Sequence, residues 1–253
     1  MAAPNGARRT KADHPALPLT DDELIETTRR CRQAGADGVH LHIRDTQGRH
    51  LLDATRYRAL LDRMEDQFPD LYLQVTSESA GRYEAKEQRA MMEALRPPHV
   101  SVALREMVRL PDDWPTARDF YHWAADNGIE IQHILYSPQE VSAFVGACNS
   151  GLIRGKIQPI IFVQGSYAEG SRNSIELEAY LKPLSQADGV AFDWMVCAFG
   201  TSETDSLAHA AQLGGKARVG FENSLWNKDG SLAVDNAERV REVDEAIRKV
   251  EST

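Results

Sequence analysis

His40 and His42, separated by one residue, are the side chains in this sequence best suited to metal chemistry. They stand in a short apolar run that ends in Arg44-Asp45, as expected where a strand gives way to a loop. Residues i and i+2 of a strand point to the same face, so both imidazoles can reach one ion. Neutral imidazole suits Zn²⁺, and two histidines with a carboxylate often form a catalytic set with one open position. The spacing therefore predicts a divalent-metal site; the alternative is one histidine in the core and the other capping a loop.

A carboxylate that could complete this set is Glu222, which directly follows the apolar stretch of Arg218-Val219-Gly220-Phe221. Arg218, four residues earlier, has the planar donors that bind a substrate carboxylate with two hydrogen bonds. Glu222 could equally be a surface acid, and Arg218 a salt-bridge partner at the end of the barrel.

A third group of chemical interest lies near the start of the sequence, in the polar segment 4–15. It carries Arg8, Arg9 and Lys11, three cations within four residues. A long loop after a first strand lies over the mouth of a barrel, where functional loops are found. The alternative is a solvated loop with no role in binding.

The elements that must position these residues alternate along the chain. Eight short apolar stretches predict strands, at 2–4, 37–45, 71–76, 100–103, 129–135, 157–163, 191–198 and 217–221. Eight amphipathic stretches predict helices, at 20–34, 55–67, 84–95, 115–127, 138–149, 174–184, 203–213 and 234–250. The first of these helices has a capping box, with Thr20 as the cap and Glu23 reaching back to it.

This alternation requires parallel strands joined by helical crossovers. Eight units in 253 residues predict one α/β domain, a (β/α)₈ TIM barrel that spans residues 1–253. In such barrels the catalytic groups gather at the carboxyl ends of the strands, which is where His42 and Glu222 fall.

Composition and charge exclude several classes of protein. The sequence is 42% hydrophobic and 26% charged, which is typical of a globular chain, and 38 acidic against 29 basic residues disfavour nucleic acid and anionic lipid as partners. No apolar run approaches 18 residues and no GxGxxG or GxxxxGK[ST] loop occurs, so we expect no membrane span and no nucleotide site. Three scattered cysteines, Cys31, Cys148 and Cys197, and the lack of a visible targeting segment predict buried thiols in a cytoplasmic protein.

Several motifs together resemble those of the β-keto acid cleavage enzymes, and the resemblance covers essentially the whole chain. The motifs that carry it are Asn5-Gly6-Ala7-Arg8-Arg9-Thr10-Lys11-Ala12-Asp13-His14-Pro15-Ala16-Leu17-Pro18, then Ala34-Gly35-Ala36, His40-Leu41-His42-Ile43-Arg44-Asp45, Arg218-Val219-Gly220-Phe221-Glu222-Asn223, Asp229-Gly230 and Asn236-Ala237. The resemblance implies a zinc-dependent barrel that forms a homo-oligomer, a dimer or tetramer. It also implies a reaction in which a small-molecule β-keto acid and acetyl-CoA give acetoacetate and a new acyl-CoA.

Carried over residue by residue, the resemblance makes His40, His42 and Glu222 the zinc ligands. Arg218 matches the family's arginine near the reacting carbonyl. Thr76 stands where the family has a serine that contacts the substrate.

The sequence departs from the family's motifs in four places. Members that act on an amino-bearing keto acid have a glutamate where this chain has Arg8, and the family's Ser-Thr-Gly-Gly is Thr76-Ser77-Glu78-Ser79 here. An aspartate proposed as the base is replaced by Asn223, and a substrate-binding asparagine by Ala103.

A neutral amide cannot abstract a proton, so Asn223 is assigned to substrate binding. Glu78 is the first candidate base and Asp45 the second. Each ligating histidine should also give its second ring nitrogen to a carbonyl or carboxylate, for which Asp45 and Asp13 are the nearest candidates by motif.

Arg8 inverts the charge that reads an ammonium in those members. A desolvated cation opposed to an ammonium costs roughly a few kcal/mol, a factor of hundreds in specificity. We therefore expect β-keto acids with a neutral or anionic tail to be preferred over amino-bearing ones. Arg8 could instead point to solvent or bind a CoA phosphate.

Two other functions stay open at this point. One is a metal-dependent hydrolase of the HxH barrel type, for which His133 on the strand at 129–135 is the only supporting residue. The other is a paralogue that keeps zinc but has lost turnover, as Asn223 and Ala103 would allow.

Overall fold

Seven parallel strands form one curved sheet in which every strand pairs with the next sheet strand along the chain. The computed structural model describes residues 1–167 and 176–252. The sheet strands are β1 (Gly38–Leu41), β4 (Tyr72–Thr76), β5 (His99–Ala103), β6 (Glu130–Leu135), β7 (Ile157–Gln164), β8 (Ala191–Ala198) and β9 (Lys216–Ala217). A separate antiparallel hairpin consists of β2 (Ile43–Arg44) and β3 (His50–Leu51).

Residues 2 and 3 close this sheet into a ring. Ala2 bridges in parallel to Val39 on one side and to Val219 on the other. Its N–H donates to the carbonyl of Gly38 at 2.8 Å, and its carbonyl accepts from the N–H of His40 at 2.8 Å. The N–H of Ala3 donates to Val219 at 2.8 Å. The predicted first strand at 2–4 is thus a single bridged residue, and the predicted barrel is confirmed.

Helices cover the outside of the barrel. They are α1 (Asp21–Gln33), α2 (Ala54–Gln67), α3 (Ala85–Leu95), α4 (Leu104–Met107), α5 (Trp114–Asp126), α6 (Pro138–Asn149), α7 (Leu177–Leu181), α8 (Glu203–Gln212) and α9 (Asn236–Glu251), with short 3₁₀ turns at Pro111–Asp113, Lys182–Gln186 and Gly200–Ser202. The capping box of α1 is present: Thr20 Oγ1 accepts from the N–H of Glu23 at 3.2 Å, and the Glu23 carboxylate accepts from the N–H of Thr20 at 3.1 Å. None of the helices within the described ranges combines the length and apolar composition that crossing a bilayer requires.

The structure differs from the sequence-based assignment in three places. The strand predicted at 37–45 is divided, and its second part folds back as the β2–β3 hairpin. The strand predicted at 217–221 ends at Ala217, and Gly220 has a φ of +143°. A Cβ on Gly220 would lie 2.5 Å from the carbonyl oxygen of Ala3, so only glycine fits there. The beginning of the helix predicted at 174–184 lies outside the described residues; the rest is α7 followed by a 3₁₀ turn containing Pro183, which lacks an N–H donor.

The interior of the barrel has two kinds of lining. Around β1, β4 and the segment after β9 it is polar, with the buried side chains of His40, Gln74 and Arg218. Along β5 to β8 a separate cluster of buried side chains is apolar: Ala103, Ile134, Ile161, Val163, Met195 and Cys197. All three cysteines are free and buried, as predicted, and burial raises the pKa of Cys197 to about 11.

Candidate metal and active site

The end of β1 and the segment after β9 bring His40, His42 and Glu222 together at the carboxyl end of the barrel. His40 lies in β1 and His42 directly follows it, so both side chains point to the same face of the strand, and that of Leu41 between them points to the other face and packs in the core. The Nε2 atoms of the two histidines are 3.0 Å apart. Oε2 of Glu222 lies 3.7 Å from Nε2 of His40 and 3.6 Å from Nε2 of His42. All three residues are buried.

These donor atoms fit a divalent metal. In a tetrahedral zinc site with bonds of about 2.0–2.1 Å, neighbouring ligand atoms lie about 3.4 Å apart, close to the 3.0–3.7 Å found here. Oε2 of Glu222 is buried and has no hydrogen-bond partner among the described residues. A buried carboxylate oxygen without a donor, facing two imidazole nitrogens, is an arrangement that a cation would satisfy.

Gln74 orients the His40 ring. Nδ1 of His40 lies 2.8 Å from Oε1 of Gln74, whose Nε2 donates to Oε1 of Gln132 at 3.2 Å. Because the amide oxygen only accepts, Nδ1 of His40 carries the proton and the lone pair of Nε2 faces His42 and Glu222. Sequence reasoning missed Gln74, although a polar residue two positions before Thr76 in an apolar strand was a signal that both point into the barrel.

Asp45 and Asp13, the predicted partners of the histidines, are not in contact with them. The carboxylate of Asp45 closes the β2–β3 turn and accepts from the N–H groups of Gln47 and Arg49, each at 2.9 Å. Asp13 accepts from the N–H of Thr10 at 2.7 Å within its own loop. The choice of these two aspartates was wrong, because both fold back onto local backbone donors, as aspartates in turns do. The prediction that a carbonyl oxygen takes the second ring nitrogen is confirmed for His40 by Gln74.

His42 is held differently from His40. Its Nδ1 is buried without a hydrogen-bond partner among the described residues, and Oε2 of Glu78 lies 3.9 Å away. Burial, reinforced by Arg218, keeps the pKa of His40 well below its usual value, and burial together with His40 does the same for His42. Both rings are therefore neutral at pH 7, which is the form that binds a metal.

Arg218 lies beside the three donor atoms. Its Nη2 donates to Oε1 of Glu222 at 3.1 Å and contacts Sγ of Cys197 at 3.5 Å. Its Nε and Nη1 are buried and have no partner among the described residues. Two guanidinium N–H directions are thus available to a bound anion.

A cavity of about 330 Å³ opens next to the triad. The sequence-predicted site residues in its wall are Arg8, His40, Thr76, Glu78, Arg218, Glu222 and Asn223. Asp45 does not line it, so of the two predicted bases the structure brings only Glu78 to the cavity. Ala103, Ile134 and Val163 form the apolar part of the wall, beneath Tyr136, Tyr167 and Phe199.

The residues after β4 and β9 supply the polar groups of the cavity. Burial, together with Glu222 and Glu106, raises the pKa of Glu78 to about 7. Oγ1 of Thr76 accepts from the N–H of Glu78 at 3.0 Å, which leaves its hydroxyl proton free to donate. Oδ1 of Asn223 is buried without a partner among the described residues.

Arg8 stands at the rim of the cavity. The residue is exposed, and its guanidinium carbon lies 5.6 Å from the centre of the Tyr167 ring. Tyr167 in turn contacts Phe199 edge-on, with ring centres 4.7 Å apart. These aromatic residues, which sequence reasoning did not single out, form the outer wall.

Comparison with known proteins gives consistent matches over this chain. The model of the beta-keto acid cleavage enzyme family matches residues 1–253. The 3-keto-5-aminohexanoate cleavage enzyme of Fusobacterium nucleatum is 25% identical over 248 residues, covering 96% of this chain and 88% of that protein. The 3-oxoadipate:acetyl-CoA acetyltransferase of Cupriavidus necator is 28% identical over 249 residues, covering 94% of this chain and 84% of that protein.

Among solved structures, the ternary complex of ObcA with a C4-CoA adduct and oxalate is similar in fold. Its TM-score is 0.72 at 18% identity, over 93% of this chain. The chain spans 64% of the length of the ObcA chain, less than two thirds. This likeness shows the fold alone.

Proposed function

Because this chain belongs to the β-keto acid cleavage enzyme family, we propose that it is a zinc-dependent enzyme that converts a β-keto acid and acetyl-CoA into acetoacetate and a new acyl-CoA. The observation that carries the proposal is the buried convergence of His40, His42 and Glu222 beside a cavity that is also lined by Arg218, two of whose guanidinium nitrogens have no partner among the described residues. The names of the relatives support the two substrates.

Different side chains around the substrate would bind the metal and stabilise the charge that develops. His40, His42 and Glu222 would hold the ion, which when bound supplies a Lewis acid for the ketone and carboxylate of the substrate. Loss of a proton from the carbon between the ketone and the carboxylate gives a carbanion, which attacks the thioester carbonyl of acetyl-CoA and forms the new carbon–carbon bond of acetoacetate. Nε and Nη1 of Arg218 donate hydrogen bonds to the negative charge that develops on the oxygen. The CoA thiolate leaves the acetyl carbonyl and adds to the former ketone carbon of the keto acid. Cleavage of the bond between that carbon and the deprotonated carbon then releases the new acyl-CoA and acetoacetate, which takes up a proton.

Glu78 is the residue we assign to proton abstraction from the carbon between the ketone and the carboxylate of the keto acid. Three glutamates line the cavity, and Glu222 is the proposed metal ligand. Glu106 already accepts hydrogen bonds from Ser79 Oγ at 2.7 Å and from Gln88 Nε2 at 2.6 Å. Glu78 is therefore the carboxylate available as a base. Asn223 cannot serve, and we assign its buried amide and the Thr76 hydroxyl to substrate binding.

The positive charge of Arg8 supports the proposal that the substrate is a keto acid with a neutral or anionic tail, such as a keto-diacid. The two relatives named above have similar identities but differ in the tail that their names give, an amine in one and a carboxylate in the other. Arg8 at the rim favours the carboxylate.

This preference is tested by comparing kcat/KM for 3-oxoadipate and 3-keto-5-aminohexanoate in wild type and Arg8→Glu. Because Arg8 is exposed, solvent screening reduces the discrimination from hundreds to about fivefold. A wild type that prefers the amino substrate, or an unchanged ratio in Arg8→Glu, would show that Arg8 does not read the tail.

The hydrolase alternative loses its supporting residue. His133 packs in the core between the rings of Tyr121 and Phe144, at centre distances of 5.3 and 4.5 Å. It does not line the cavity beside the triad. A cytoplasmic location and a homo-oligomer, dimeric or tetrameric, remain part of the proposal by family resemblance.

The decisive assay supplies the zinc-loaded protein with acetyl-CoA and a panel of β-keto acids. We expect acetoacetate and the new acyl-CoA to appear in equal amounts, only when both substrates are present. Products that form without acetyl-CoA would indicate a hydrolase. No product from any member of the panel would indicate a paralogue that has lost turnover.

A further inference from the structure

The segment that carries Glu222 packs closely against the loop of residues 4–15. Gly6 has a φ of +59°, and a Cβ on it would lie 2.6 Å from Cγ of Glu222. The N–H of Glu222 donates to the carbonyl of Ala3 at 3.0 Å. The N–H of Phe221 donates to Oδ1 of Asn236 at 2.8 Å. These contacts hold the segment from one side and leave the carbonyls of residues 221 and 223 to be satisfied.

Arg9 binds both of those carbonyls. Its Nη1 donates to the carbonyl of Phe221 at 2.5 Å, and its Nη2 donates to the carbonyl of Asn223 at 3.2 Å. The two acceptors are the backbone groups on either side of Glu222. Arg9 is half-buried, whereas Lys11 of the same loop is exposed and pairs with Glu23 at 2.8 Å. Arg9 and Lys11 thus have different surroundings.

The backbone of Arg9 is tied to β2, the short hairpin strand that directly follows His42. The carbonyl of Arg9 accepts from Nη2 of Arg44 at 3.1 Å, and the same nitrogen donates to the carbonyl of Gly6. Nη1 of Arg44 donates to the carbonyl of Gly48 at 2.8 Å. Arg44 is buried and lies two residues after His42. A continuous series of hydrogen bonds therefore joins β2, the loop of residues 4–15 and the backbone on both sides of Glu222.

We propose that Arg9 is a positioning residue for Glu222: it fixes the glutamate relative to the two histidines, with Arg44 of β2, two residues after His42, as its anchor. This inference rests on the proposed metal site. Glu222 lies beyond Val219, the last residue of its segment that bridges to another strand, so strand pairing alone does not fix its position. Partners of this kind, which orient a ligand without touching the metal, affect metal affinity by about 10- to 100-fold when removed.

The test is zinc titration of the full chain, by calorimetry and by competition with a chromophoric chelator. Arg9→Met should weaken zinc binding by about 10- to 100-fold, and Arg9→Lys, which keeps one donor group, should lie between it and wild type. Lys11→Met removes a cation from the same loop without touching residues 221–223, and should leave zinc affinity unchanged. Unfolding curves of the metal-free proteins show whether each variant is folded; if Arg9→Met is not, Arg9→Lys and Arg9→Gln carry the test.

A double-mutant cycle separates positioning from a general effect on the fold. If Arg9 acts through Glu222, Arg9→Met should cost less than about twofold in zinc affinity once Glu222→Ala is present. An unchanged affinity in Arg9→Met, or an equal loss in both backgrounds, would overturn the inference while leaving the metal site standing. Wild-type affinity in Glu222→Ala, or no zinc binding by wild type, would overturn this inference and the proposed metal site together.

Discussion

The two sides of the barrel interior are built on different principles. The metal half, around His40, Gln74 and Arg218, consists of buried polar groups that each need a particular partner. The apolar half, along β5 to β8, is a cluster of side chains such as Ile134, Ile161 and Val163 that only has to fill space. The loss of the hydrogen-bond partner of a buried polar atom reduces the free energy of unfolding more than a slight shift of a buried methyl group does. Substitutions in the metal half should therefore affect function, and those in the apolar half mainly stability.

The cavity lies where the two halves meet. His40, Glu222 and Arg218 line one side, and Ala103, Ile134 and Val163 the other. This division suits a β-keto acid, whose keto and carboxylate groups need charged partners while its carbon chain does not. The predictions below test the comparison, beginning with the largest expected effect.

Removing a proposed metal ligand should have the largest effect. His40→Ala and His42→Ala should each reduce bound zinc from about one ion per chain to almost none, and kcat/KM by roughly a thousandfold, because several kcal/mol of Lewis-acid stabilisation are lost. Metal analysis after dialysis and the acetoacetate assay measure both quantities. His122→Ala, at a half-buried histidine of α5 whose Nε2 lies 3.0 Å from the carbonyl oxygen of Gly151, is the matched control. Full zinc content in the double variant His40→Ala/His42→Ala would show that these histidines are not the zinc ligands.

Arg218→Met should reduce kcat by about 10²- to 10³-fold, because its buried N–H groups stabilise charge that develops during the reaction. Zinc affinity should fall by no more than about 10- to 100-fold, because Arg218 donates to Oε1 of Glu222 and not to Oε2, the oxygen nearest the histidines. At saturating zinc the ion should therefore remain bound. Steady-state kinetics and metal analysis on the same preparation check both expectations. Loss of zinc in parallel with activity would show that Arg218 supports the ligand and not the reaction.

Glu78→Gln should reduce kcat by roughly a hundredfold, because an amide cannot accept the proton. The base acts as carboxylate, so wild-type activity should rise with pH as Glu78 loses its proton. Burial, Glu222 and Glu106 raise its pKa to about 7, and a bound cation would lower this value, so we expect the rise at or below pH 7. A pH–rate profile of kcat/KM measures it. If Glu78→Gln keeps the same rising limb, another group is the base.

The smallest effects separate the two halves most cleanly. Gln74→Leu removes the acceptor that orients His40, and should weaken zinc binding by about 10- to 100-fold. Ile161→Val removes one methyl group from the apolar half, and should lower the free energy of unfolding by about 1 kcal/mol. Zinc titration and denaturant unfolding of both variants form the comparison. An equal loss of zinc affinity in Ile161→Val would mean that the two halves are not independent.

Sequence reasoning could reach the donor set because each donor has a local signal. The alternation of a strand places His40 and His42 on one face, and the order of elements places Glu222 at the same end of the barrel. The strand pattern could place Gln74 inside the barrel, but the partners of Gln74 and Arg9 were out of reach for a common reason: they are 34 and at least 212 residues away. Such pairings depend on strand register and loop packing, which no local pattern encodes. Asp45 was misplaced because a hairpin, which the apolar pattern did not indicate, turns it away from the cavity.

Anomalous diffraction at the zinc absorption edge, from crystals of the protein grown with zinc, tests the central claim most directly. The account predicts one strong peak per chain, about 2.0–2.2 Å from Nε2 of His40, Nε2 of His42 and a carboxylate oxygen of Glu222. A peak elsewhere, or a fully zinc-equilibrated crystal with no peak between these three residues, would contradict it.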